Sequence, residues 1–197
     1  MATLDSGKLY GPRGVGALYL SNRVKISGLL LGGKQERGLR AGTENVALAA
    51  GFAAALTHVG TIRAPESHRL AEMRTMLARE IQARLKHAVI NGDLEHSLPH
   101  ILNISIPNIS SEYVTLALDR LGVSISTKSA CREGEESRSH VVAALVNSTE
   151  ALERDGGKDW IAQNTLRFSL GEMSEVRTVS LVPGLVARAV NNPLLQK

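Results

Sequence analysis

The sequence predicts an α/β protein whose later part is α+β. Three observations lead there. Short apolar runs alternate with segments of helical period. Hydrophobic residues make up 43% and charged residues 21% of the 197, values that exclude the disordered and fibrous classes. Gly60 and Pro65 bracket an expected linker, which places a seam near residue 65. The expected division is therefore residues 1–65 and residues 66–197. The first part has too few elements to close a core by itself. It is expected to pack against something absent from this chain, or against a partner subunit.

Each element follows from a local pattern. Gly11, Gly14 and Gly16 surround Pro12, so a tight turn precedes a strand at residues 15–20. Residues 24–31 read as a second strand or a bent connection. Gly32 and Gly33 open a polar loop that runs to Gly42. Thr43 is the expected cap of an Ala-rich helix reaching about Val59, with Glu44 in its positive first turn. A second helix is expected over about residues 66–86, where Leu70, Met73, Leu77, Ile81 and Leu85 recur every three or four positions. Arg84 and Lys86 suit its last turn. The period then changes to strands at residues 88–91 and 101–106, where Leu102, Ile104 and Ile106 alternate with Asn103 and Ser105. A helix over residues 111–121 stops at Gly122, and a short strand covers 123–126. Ser139 caps a helix to about Glu153, followed by a turn at 155–157. Residues 165–170 form a strand and 174–190 a final helix.

Composition limits the function classes. Aromatics are 3% of the chain, so the core is expected to be Leu, Ile, Val and Ala. A single cysteine excludes an intrachain disulfide framework and any Cys-rich zinc module. A reducing, cytoplasmic setting is the expectation. The apolar run at residues 47–56 falls short of the about 20 residues a span requires. Residues 1–6 lack the basic start and apolar core of a signal peptide, so no membrane association is expected. Of the net charge of +4, residues 1–65 hold 8 Lys+Arg against 3 Asp+Glu, and the rest is nearly balanced. That excess suits a nucleic acid, a membrane surface or a phosphate-bearing ligand, and charge alone favours simply a solvated face.

Several motifs invite chemistry. Gly28 to Lys34 has P-loop spacing, but Gln35 stands where Ser or Thr would bind magnesium, and leucines line the loop. Gly14-x-Gly16 lacks the third glycine of a dinucleotide fingerprint and precedes a strand. Both readings are rejected. His96 and His100 lack a third ligand nearby, so no metal site is expected. Cys131 lies in a polar stretch near Lys128 and Arg132, which favour a thiolate, and near Glu133, Glu135 and Glu136, which oppose it. Local sequence leaves both a nucleophile and an ordinary small side chain open. Lys8, before a tight turn, reads on local sequence as a surface lysine; a Schiff-base lysine would need a fixed, partly desolvated place.

Taken together, the motifs resemble one family. Ser6-Gly-Lys8-Leu-Tyr-Gly-Pro-Arg-Gly-Val-Gly-Ala-Leu-Tyr19 resembles the cofactor-lysine segment of cysteine desulfurases. These are class-V members of the pyridoxal-phosphate (PLP) aminotransferase fold, type I. Gly32-Gly-Lys-Gln-Glu-Arg-Gly-Leu-Arg-Ala-Gly-Thr-Glu-Asn45 resembles their Gly-Gly-x-Gln-Glu…Gly-Thr-x-Asn loop. Ser129-Ala-Cys131 followed by Ser139-His-Val141 resembles their active-cysteine loop and next helix. Leu166-Arg-Phe-Ser-Leu-Gly171 resembles their C-terminal strand. The matches run in order over nearly the whole chain, which resembles the C-terminal half of the family.

The resemblance implies a remnant of the PLP-binding large domain over residues 1–65 and an α+β small domain with its linking helix over 66–197. It implies a PLP-dependent conversion of L-cysteine to L-alanine that leaves a persulfide on Cys131, with sulfur going to iron–sulfur clusters or thio-cofactors. Lys8 matches the lysine bonded to PLP, Ser6 a hydroxyl on its phosphate, and Thr43 the residue reaching the neighbouring subunit's phosphate. Arg167 matches the receptor of the substrate carboxylate. A homodimer and a sulfur-acceptor or scaffold protein are the implied partners, with no nucleic acid. A selenocysteine lyase, or a non-catalytic dimerisation or scaffold-binding remnant, are the alternatives. Two departures stand out. The family has His directly before the lysine, where this chain has Gly7. Its members are also roughly twice as long, and the part not spanned carries the ring-stacking histidine and the aspartate on the pyridine nitrogen.

Overall fold

The computed structural model describes residues 1–127, 138–147 and 159–192. The chain divides into two compact units, Met1–Ala64 and Pro65–Lys197.

In the first unit, β1 (Ala2–Asp5) pairs antiparallel with β2 (Gly16–Tyr19), from Ala2 opposite Tyr19 to Asp5 opposite Gly16. The sequence did not mark β1, because four residues without an apolar run become a strand only through their partner. Gly16 is required there. A Cβ on it would lie 2.7 Å from the Leu4 carbonyl oxygen. Residues 24–31 form the bent connection, not a strand; their one pairing is an isolated bridge from Leu30 to Arg40. Within the polar loop, Gln35–Gly38 makes a 3-10 turn, with Glu36 and Arg37 in the left-handed region. Gln35 Oε1 accepts a bond from the Gly42 amide at 3.3 Å and closes the loop.

The expected pair of helices is one. α1 (Val46–Arg84) runs 39 residues with Pro65 inside it. Proline removes one helical N–H, but strong helix formers flank it on both sides, and that single loss does not end the helix. The cap also differs from expectation. Asn45 Oδ1 accepts from the Leu48 amide at 3.1 Å, so Asn45 caps the helix and Thr43 lies in the preceding loop. Glu44 is likewise outside the first turn. The length argument against a membrane span falls with this helix: α1 is long and apolar enough to cross one, with a window of mean hydropathy 1.3. Much of that value comes from alanine.

The first unit buries only Ser6, Phe52 and Ala55. Leu29, Leu31 and Val46 are 96%, 87% and 74% exposed. The expectation that this part cannot close its own core agrees with those exposures.

The second unit has its own core. An antiparallel sheet has the order β3-β4-β6-β5, where β3 is Val89–Ile90, β4 is Ile101–Ser105, β5 is Ser126–Thr127 and β6 is Thr165–Ser169. Alternation in β4 and β6 sends Leu102, Ile104, Leu166 and Phe168 into the main core. There they join Leu77 and Ile81 of α1, Leu118 of α2 (Ser111–Arg120) and Val186 of α6 (Val182–Val190). Each fully buried Leu or Ile contributes about 1.5–3 kcal/mol. The expected last helix is split into α5 (Val176–Val179) and α6, because Pro183 cannot donate an interior bond and instead sits in the first turn of α6. α3 (His140–Asn147) and α4 (Asp159–Gln163) form a second cluster through Val142, Val146, Ile161 and Ala162. The sequence did not mark α4. The end of the expected Ser139 helix and the turn at 155–157 lie outside the described residues.

Candidate active site

The Lys8 turn begins with Asp5, whose carboxylate accepts from the Gly7 amide at 2.9 Å and caps a 3-10 turn, Ser6–Lys8. The chain then folds back over Ser6. The Ser6 carbonyl accepts from the amides of both Leu9 and Gly11 at 3.0 Å, and Tyr10 takes φ 62° between them. Ser6 is wholly buried, and its Oγ has no hydrogen-bond partner. Gly11 presses on it: a Cβ there would lie 2.3 Å from Ser6 Oγ and 3.0 Å from Ala55 Cβ. Lys8 is exposed, and among the described residues no carboxylate pairs with it. The turn thus sets a free amine two residues from an unsatisfied hydroxyl.

Thr43 is exposed, and no hydrogen bond among the described residues joins it to Ser6 or Lys8. Its hydroxyl is free to contact a ligand from the loop, though it does not cap α1.

Arg167 belongs to the second unit. It lies on β6 between Asn103 of β4 and Ser126 of β5. Its neighbours Leu166 and Phe168 point into the core, so Arg167 is on the other, polar face of the sheet. Its Nε is buried and unpartnered, and among the described residues no carboxylate neutralises it. Further along this face, Asn91 Nδ2 donates to Asn103 Oδ1 at 2.6 Å and to Ser105 Oγ at 2.7 Å. Ser105 Oγ in turn donates to the Ile161 carbonyl at 2.6 Å.

Cys131 lies outside the described residues. After it, Ser139 Oγ accepts from the Val142 amide at 3.3 Å and caps α3. Among the described residues no group of His, Cys, Asp or Glu is arranged to hold a metal. His96 instead pairs with Asp93 at 2.5 Å, and that hydrogen bond holds the Asp93 carboxyl below its usual range. Two hollows of the second unit, about 400 and 500 Å³, contain none of the expected site residues.

The class-V aminotransferase family matches this chain over residues 1–182. The chain belongs to that family. It is 36% identical to the cysteine desulfurase IscS of Dictyoglomus turgidum over 171 residues, which are 87% of this chain and 41% of the relative. It is 35% identical to the cysteine desulfurase NifS of Azotobacter vinelandii over 195 residues, 97% of this chain and 46% of that one. The solved structure of a NifS-like protein matches with a TM-score of 0.77 at 28% identity, covering 94% of this chain and 45% of its own. The fold is therefore that of the PLP-dependent, NifS-like aminotransferases. The chain spans less than half the length of the relatives it matches.

Asn91, Asn103 and Ser126 escaped the sequence reading as site residues. Asn103 stood out only as the polar half of an alternation. The signal that joins them to Arg167 is strand register, which local spacing does not contain.

Proposed function

We propose that this chain is the part of a cysteine desulfurase that carries Lys8, Cys131 and Arg167. L-Cysteine becomes L-alanine, and its sulfur is left as a persulfide on Cys131. The observation that carries this reading is the family match over residues 1–182 together with a free Lys8 amine on the motif turn.

The residues fit PLP. Lys8 Nζ is available for a covalent bond to an aldehyde. Ser6 Oγ, two residues earlier in the chain, is a buried hydroxyl without a partner, and Thr43 offers an exposed one. Ser6 is enclosed beneath Gly11, so it serves a phosphate only once the turn opens around it. When bound, PLP supplies an electron sink for the bonds at the substrate Cα.

Lys8 Nζ holds the cofactor and moves a proton at the substrate Cα. Arg167 binds the substrate carboxylate, for which a planar guanidinium is geometrically suited. The Cys131 thiolate attacks the substrate sulfur. The new S–S bond forms as the carbon–sulfur bond breaks, and the electron pair left on carbon takes up a proton to give the methyl of alanine. A sulfur acceptor then removes the outer sulfur. A homodimer in the cytoplasm is part of the same proposal.

The test combines the chain with the part of a cysteine desulfurase relative that it does not span. With PLP present, L-alanine should form from L-cysteine. Lys8→Ala should abolish both the aldehyde-derived absorbance band and alanine formation. Cys131→Ser should abolish alanine formation but keep the band. A band that survives Lys8→Ala unchanged would overturn the proposal.

A further inference from the structure

Across the strands β3, β4, β6 and β5, the register lines up Asn91, Asn103, Arg167 and Ser126 on the polar face. The Asn91 amide donates to the Asn103 carbonyl at 2.9 Å, which continues the β3–β4 ladder to this row. Directly opposed residues on one face sit about 4.5–5.5 Å apart at Cβ, so Asn103 and Ser126 flank the root of Arg167.

The orientation of the Asn103 amide matters. A side-chain amide has one acceptor oxygen and two donor hydrogens. The Asn103 oxygen is engaged by Asn91 Nδ2 at 2.6 Å. That bond draws the Asn103 oxygen toward β3, whereas Arg167 stands on the opposite neighbour, β6; the NH2 group of Asn103 cannot accept from a guanidinium. The same Asn91 amide is anchored on Ser105, and Ser105 on the Ile161 carbonyl, so the orientation is fixed from below. Asparagine beside arginine would otherwise offer its oxygen and tie up the cation. Here that oxygen is drawn to Asn91 instead.

We propose that Asn103, locked by Asn91, is a positioning residue that keeps the Arg167 guanidinium free for the substrate carboxylate. This rests on the reading of Arg167 as the carboxylate receptor. A guanidinium with no carboxylate partner among the described residues favours an anionic group over a neutral one.

Asn103→Asp separates this role from a structural one. A carboxylate oxygen still accepts from Asn91 Nδ2, so the network and packing persist. The second oxygen, however, now faces Arg167 and pairs with it. The experiment is an NMR titration of the full chain with L-alanine, following the Arg167 Nε–H resonance, with ethylamine as the control that lacks a carboxylate. L-Alanine should shift the resonance and ethylamine should not. Asn103→Asp should weaken L-alanine binding by about tenfold, the equivalent of about 1.4 kcal/mol. Affinity should return as pH falls and the introduced carboxyl is protonated, which a packing defect would not do. Asn103→Ala, which removes the locked amide without adding an acceptor, should weaken binding less. If Asn103→Asp binds L-alanine like the parent chain while Arg167→Ala does not bind it, the Asn103 proposal fails alone. If the parent chain shows no carboxylate-dependent shift, or Arg167→Ala binds normally, the reading of Arg167 fails with it.

Discussion

Gly11→Ala tests the architecture of the Lys8 turn. The added Cβ would lie 2.3 Å from Ser6 Oγ, 3.0 Å from Ala55 Cβ and 3.2 Å from the Ser6 carbonyl oxygen. A comfortable carbon–oxygen contact is about 3.3 Å, so the Ser6 hydroxyl must move by about 1 Å in a fully buried place. Overpacking of this size costs about 1–3 kcal/mol. Gly11 is not among the residues with positive φ, so alanine is otherwise tolerated there and stiffens the unfolded chain by about 0.4–1 kcal/mol. The net expectation is a loss of about 1–2 kcal/mol. Ser6→Ala removes a buried hydroxyl with no partner, and should stabilise by about 1 kcal/mol. It also removes the atom with which the new methyl collides. The double variant should therefore be far less damaged than the sum, with a coupling of about 1–2 kcal/mol. Urea unfolding measures the totals. Hydrogen exchange at the Leu9 and Gly11 amides, both bonded to the Ser6 carbonyl, reads the effect at the turn itself. Strict additivity in this cycle would refute the claim that Gly11 is glycine because Ser6 lies beneath it.

Two further outcomes follow from side-chain geometry. Asn45→Ala removes the bond to the Leu48 amide and should cost about 1 kcal/mol at the start of α1, seen as faster exchange of that amide; Thr43→Ala should leave the amide protected, and the opposite pattern would return the cap to Thr43. The Glu66 carboxyl is held below its ordinary range by hydrogen bonds from Arg69 and by that residue's charge, against the opposing effect of burial. The pair's stability is therefore present above the unfolded carboxylate range and lost as pH falls through the lower folded value. Acid-range urea midpoints should fall more steeply for the parent chain than for Glu66→Gln, and parallel curves would contradict the assignment.

How much of this was legible in the sequence depends on the range of the interactions concerned. β4 and β6 declared themselves because period-two alternation is local and one face of each enters the core. The stop at Gly122 was equally local, since its φ of 79° suits glycine. β1 was not visible, because its only warrant is a partner beginning at Gly16. Pro65 misled because proline ends helices on average, while the residues on both sides of it have enough helical preference to continue. Thr43 misled for a related reason. Threonine, aspartate and asparagine are interchangeable as cap signals, and only the hydrogen bond to Leu48 distinguishes Asn45.

The site divides along the same line, with a consequence for mechanism. Lys8, Ser6 and Arg167 were legible as candidates through the motifs that resemble the family, because the proposed chemistry rests on the residue type itself. Asn103 carries none of its own. Its effect depends on which way an amide faces, which Asn91 decides from another strand, and Asn91 is held in turn by a serine bonded to the Ile161 carbonyl. A charged receptor on an exposed surface binds any nearby acceptor, its own neighbours first. On the proposed reading, Arg167 binds a substrate carboxylate best where neighbouring acceptors are drawn elsewhere. On the polar face the Asn103 oxygen is drawn to Asn91, on the strand away from Arg167. The buried Nε of Arg167, which has no hydrogen-bond partner, agrees with that proposal.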